Sequence, residues 1–83
     1  MKKIYFYDNK NIISEKLKIL REEKGLSQSS LAAKLQTMNV NIDQQMISKI
    51  EMNKRQVTDY ELTCICKCLN VTPNDILNFD KIN

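Results

Sequence analysis

Residues Asp43–Arg55 read DQQMISKIEMNKR. Ile47 and Ile50 lie three apart, the spacing of a helix that buries one stripe, and Gln45, Ser48 and Lys49 then face outward. Asp43 is a good N-cap whose charge suits the positive end of the helix, which is expected to run to about Met52. Asn53 closes it in left-handed geometry. The outward face has the chemistry that a DNA-reading helix needs. A glutamine can hold an adenine edge with two hydrogen bonds, a lysine can donate to guanine acceptors or to phosphate, and the Asn53-Lys54-Arg55 turn can meet the backbone.

Outward from this segment, the chain divides into further helices with their own start and stop signals. Helix one is expected from about Asn11 to Lys24, with Asn11 as N-cap and Ile13, Leu17 and Leu20 on one face. Gly25 ends it and Leu26 covers the end. Ser27 caps helix two, whose buried stripe is Leu31, Ala32 and Leu35, with Leu26 and Leu31 placed as a hydrophobic staple. Thr58 starts helix four, which buries Leu62, Ile65, Cys66 and Leu69 and ends at Asn70. Thr72-Pro73-Asn74-Asp75 announces a fifth helix, with a threonine cap, proline at the first helical position and an acid where a capping box has one. Ile76, Leu77 and Phe79 close the bottom of the core.

The reading is therefore all-α, with five helices in one packed unit: an N-terminal arm over 1–10, the helical domain over 11–79 and a tail over 80–83. Eighty-three residues, 42% of them apolar, with one glycine and one proline, suit such a unit and leave no room for a second. The chain has no histidine, and it lacks a glycine-rich phosphate loop, so the usual materials of acid–base catalysis, imidazole ligation and nucleotide binding are missing. No catalytic residue, cofactor or metal is expected. The opening MKKIYFYD has an apolar run too short for a signal peptide or membrane span, which points to the cytoplasm. Charge is unevenly spread. Residues 1–55 hold eleven Lys/Arg against six acids, and residues 56–83 hold two against four, so the positive field lies with the candidate reading helix and favours a polyanion.

Three runs in this order, LREEKGLSQSSLAAKL, ISKIEMNKR and LNVTPNDIL, resemble the phage repressor/Cro, or XRE-type, helix-turn-helix family over roughly residues 12–77. The resemblance implies a lambda-repressor-like fold, with the second helix of the motif in the major groove and dimers on half-sites about one DNA turn apart. Carried over by position, it implies base reading by Gln44, Gln45 and Lys49, joined by Ser48 on the same outward face. It implies phosphate contact by Gln28, which also braces the first reading residue, and by Lys54 and Arg55. It also implies a buried ion pair between Arg21 and Glu51. One departure is visible: Leu35 and Ile47 are twelve positions apart, several more than the family's usual step. Helix two is expected to gain a turn through Met38, after which residues 39–42 loop back with Val40 and Ile42 packed down.

The partner this implies is double-stranded DNA, met by a homodimer, since one short helix reads only a few base pairs. The expected function is sequence-specific transcriptional regulation, most simply repression at an operator. Alternatives are the antitoxin of a toxin–antitoxin pair that binds its own promoter, a helical protein-interaction module without DNA binding, and a thiol or metal sensor built on CICKC, residues 64–68. Residues two apart on a helix point to different faces, so Cys66 is expected in the core while Cys64 and Cys68 share another face. That argues for packing over a three-cysteine metal site. The aromatic segment Ile4–Tyr7 reads as an arm packed over the core, or as a dimer or minor-groove contact with Lys2 and Lys3. Helix five and the tail, with Phe79 and Ile82, are the first candidate for the dimer surface.

Overall fold

The computed structural model describes residues 9–77. Among them it shows five helices and no strand: α1 Ser14–Glu23, α2 Gln28–Thr37, α3 Gln44–Glu51, α4 Asp59–Leu69 and α5 Pro73–Ile76. Helix α3 packs on α1 and α2, α4 packs on α2 and α5, and α5 also touches α1. The core is the expected set of stripes. Ile13 and Leu17 come from α1 and its cap, Leu31, Ala32 and Leu35 from α2, Ile47 and Ile50 from α3, Ile65, Cys66 and Leu69 from α4, and Ile76 from α5. Leu20, Leu62 and Leu77 lie at its edge, half-buried. No helix of the described residues is long and apolar enough to cross a membrane. The assignments for Ile4–Tyr7, Phe79 and Ile82 lie outside the described residues.

Four helices stop in the same way, because each is followed by a residue that tolerates positive φ; an apolar residue comes next in three of them and Lys54 in the fourth. Gly25, Asn39, Asn53 and Asn70 adopt φ of 69°, 62°, 60° and 56°. After α1, Gly25 N–H donates to Glu22 and Leu26 N–H to Arg21. The pairs Asn39–Gln36 with Val40–Leu35, Asn53–Ile50 with Lys54–Lys49, and Asn70–Lys67 with Val71–Cys66 repeat the pattern. This is the Schellman closure, which satisfies carbonyls the helix leaves unpaired. Glycine reaches that backbone region freely, and asparagine at less cost than other side chains. One glycine therefore suffices for four helix ends.

Helix starts are equally local. Ser27, Asp43, Thr58 and Thr72 each accept a hydrogen bond from the backbone N–H three residues on. Helix α1 differs from expectation: it begins at Ser14 with Ile13 in the cap position and no side-chain cap. Asn11 is not its N-cap. Its Oδ1 does accept from Ile13 N–H, but its Nδ2 donates to the carbonyls of Ile50 and Arg55, so the side chain ties the chain start to the end of α3.

Between α2 and α3 the connection runs from Met38 to Asp43. Val40 and Ile42 are buried, and Gln36 Nε2 donates to the Ile42 carbonyl. The segment is thus anchored at two apolar points, and it delivers Asp43 to the start of α3.

Candidate nucleic-acid interface

Helix α3 owes its position to the two isoleucines fixed against α1 and α2, which leave the opposite side free. Gln44, Gln45 and Lys49 are exposed and Ser48 is half-buried. Met46 is half-buried beside the cap, with its Sδ accepting from Asp43 N–H while Asp43 Oδ1 accepts from Met46 N–H.

A chain of polar contacts runs from the interior to this face. Arg21 Nε donates to Glu51 Oε2 at 2.7 Å and Nη2 to Oε1 at 3.0 Å, with both side chains almost wholly enclosed, at 9% and 4% exposure. Arg21 Nη1 also donates to the Leu26 carbonyl. The hydrogen bond to Glu51 raises the guanidinium above its ordinary range in spite of desolvation. Gln28 Nε2 donates to the same Glu51 Oε1 at 3.0 Å, and Gln44 Nε2 donates to Gln28 Oε1 at 2.7 Å.

The carboxylate sets the direction of this relay. An ionised Glu51 only accepts, so Gln28 must present its amide nitrogen inward and its oxygen outward. Gln44 must then present nitrogen to Gln28. One Nε2 hydrogen and the Oε1 of Gln44 are left for a ligand, which is the donor–acceptor pair that matches the N7 and N6 edge of adenine. Gln28, from the first turn of α2, and Gln44, from the first turn of α3, are thereby brought together across the motif.

After α3 the turn behaves differently. Asn53 Oδ1 accepts from the backbone N–H groups of Lys10 and Asn11, and its Nδ2 donates to Asn9 Oδ1. Asn53 is therefore a clasp for residues 9–11 and is not an outward polar group. Lys54 is exposed. Arg55 is not a free cation. Its Nη1 and Nη2 grip Glu61 Oε1 and Oε2 at 3.0 and 2.9 Å, and Nη1 also reaches the Gln56 carbonyl. The reason is local: Glu61 is the third residue of α4, where it also closes a capping box with Thr58, and six positions back Arg55 meets a ready bidentate acceptor. The Thr58-x-x-Glu61 spacing, a sequence signal for this box, could have announced the competition for Arg55.

The comparisons with known proteins agree with this architecture. The helix-turn-helix family profile matches residues 17–76. The chain belongs to the XRE-type helix-turn-helix family. Among solved structures it is similar to the restriction-modification controller protein C.AhdI from Aeromonas hydrophila, at 25% identity and a TM-score of 0.70, over 78% of this chain and 87% of that one. No curated protein matches it. As a helix-turn-helix protein of this type it is a DNA-binding transcriptional regulator.

Proposed function

We propose that this helix-turn-helix protein is a repressor that binds an operator as a homodimer, with α3 in the major groove. The observation that carries the reading is the Glu51–Gln28–Gln44 relay. It fixes an amide at the exposed start of α3, next to exposed Gln45 and Lys49 and half-buried Ser48, with its hydrogen-bonding edge turned away from its brace. A surface helix with no ligand gains little from such preorganisation, whereas base readout by bidentate amides depends on it. Gln44, Gln45, Ser48 and Lys49 form the reading set, and Gln28 and Lys54 contact the phosphates. Arg55, held by Glu61, supports the turn and is left out of the phosphate set.

A single eight-residue helix covers a few base pairs, too few for useful discrimination in a genome, so an inverted repeat read by two copies follows. The likeness to a restriction-modification controller protein favours control of transcription over a purely structural helical module.

The test is selection from a randomised duplex pool with the purified chain, followed by titrations at several salt concentrations. Gln45→Ala is expected to cost about 1–3 kcal/mol on the selected site and to relax preference at one base pair. Lys54→Ala should weaken all sequences alike and lower the salt slope by about 1. A selected site without two-fold symmetry, or Gln45→Ala binding the pool exactly as the parent does, overturns the reading.

A further inference from the structure

The CICKC run takes no part in the proposed DNA surface, and its three thiols are not equivalent. Cys66 is buried in the core, whereas Cys64 and Cys68 are free thiols at intermediate exposure. Four residues apart on α4, they are neighbours on one face, with Cβ atoms about 5–6 Å apart. A third sulfur reaches the same place from another element. Met38, the C-cap of α2, has its Sδ 3.4 Å from Cys68 Sγ. Burial pushes the Cys68 thiol above its ordinary value and Cys64 adds to the rise, with Lys34, one turn earlier on α2, only partly offsetting them.

We propose that Cys64, Cys68 and Met38 form a binding site for a soft monovalent cation, Cu(I). Thiolate and thioether sulfurs are soft donors that suit Cu(I), and a two- or three-sulfur set is enough for it. Zinc asks for four harder-to-assemble ligands. The chain has no histidine, its third cysteine is in the core, and among the described residues no cluster of three His, Cys, Asp or Glu side chains converges.

The Cys68–Met38 side of the site needs little movement. Metal–sulfur bonds of about 2.3 Å in a trigonal site hold sulfurs roughly 4 Å apart, about half an ångström more than the present Cys68–Met38 separation, and methionine adjusts readily. Binding exchanges the two thiol protons for the metal, with no change in oxidation state.

The site also has a lever. Met38 is followed directly by Asn39 at positive φ and then by the anchored Val40 and Ile42 that deliver Asp43 to α3. An ion joining Met38 to α4 therefore acts on the entry to the reading helix. This coupling, unlike the site itself, rests on the DNA-binding reading above.

The experiment is an anaerobic titration of the reduced full chain with Cu(I) against a chromophoric Cu(I) chelator, with Zn(II) in parallel and folding followed by circular dichroism. The expected result is one Cu(I) per chain for the parent and for Cys66→Ala. Binding is lost in Cys64→Ser and Cys68→Ser and weakened about tenfold in Met38→Leu, a substitution that keeps core volume and so preserves the fold. No competition with the chelator, equal retention by the Cys64→Ser and Cys68→Ser variants, or an equal loss in Cys66→Ala overturns the site. On a duplex selected by the apo chain, Cu(I) should shift the parent's affinity by about fivefold or more and leave the Cys68→Ser variant's unchanged. An unshifted parent overturns the coupling alone. Absence of any duplex binding by the apo chain overturns the DNA-binding reading and leaves the chelator result standing.

Discussion

The two arginine–glutamate pairs of this protein look alike on paper and do different work. Arg21 and Glu51 are thirty residues apart and nearly enclosed, and together they join α1 to α3, with Gln28 of α2 on the same carboxylate. Arg55 and Glu61 are six residues apart and keep 23% and 14% of their side chains in solvent, and they bridge only a turn and the helix that follows it. Distance in sequence and burial separate them. An enclosed pair is bound to its partner because each charge alone in the interior would be far costlier than the pair, whereas a local, wetter pair can fall back on water. The lesson reaches function, since only the first pair extends into a relay that ends at the proposed DNA surface.

The sharpest way to break this contrast is to remove one partner from each pair. Glu51→Ala should cost about 3–5 kcal/mol by stranding the Arg21 charge, read as a fall in the urea midpoint at unchanged slope. A loss near that of an exposed pair would erase the distinction. Replacing both partners, Arg21→Met with Glu51→Leu, should recover most of that stability, yet it leaves Gln28 and Gln44 without their anchor. Folded protein with weakened DNA binding is the expected result.

A smaller effect is expected at the second pair. Glu61→Ala removes a half-wet ion pair and one arm of a capping box, for a loss of about 1 kcal/mol in the same urea experiment. If it equalled Glu51→Ala, burial would not be what distinguishes the pairs.

The smallest effect concerns acid. Hydrogen bonding from Arg55 holds the Glu61 carboxyl below its ordinary value, and Asp75 is lowered in the same way by the Thr72 backbone and hydroxyl. A carboxylate with a depressed native pKa contributes stability that is complete above the unfolded value, about 4.3 for glutamate, and is lost as pH falls through the lower native value. Melting temperature should therefore be level down to about pH 5 and fall below about pH 4.3, less steeply in Glu61→Gln. A steeper fall in the variant would show that Arg55 does not stabilise the ionised form.

Most of the fold could be read in the sequence because its signals are local. Ser27, Asp43, Thr58 and Thr72 cap the helices they precede, and Gly25, Asn53 and Asn70 close helices as their types suggest. The apolar stripes at three and four spacing became the core, and Val40 and Ile42 packed down as expected. Of the candidate site, the exposed face of α3 followed from the same periodicity. What the sequence did not show has a common cause. Asn11, Asn53 and Arg55 are polar residues whose partners come from elsewhere. Asn11 offers itself as a cap by spacing alone, until the end of α3 offers it two carbonyls. Arg55 looks like a free cation until α4 presents Glu61.

The sequence by itself determined which residues form helices, where α2 to α5 begin, and which face of α3 is polar, because caps and periodicity act within a few positions. Only the tertiary structure decided the pairing of Arg21 with Glu51 through side chains, the orientation of the Gln28 and Gln44 amides, the clasp of Asn53 on residues 9–11 and the meeting of Met38 with Cys68. A polar or sulfur-bearing side chain takes whichever partner packing places within about 3 Å, and no short-range pattern encodes that choice.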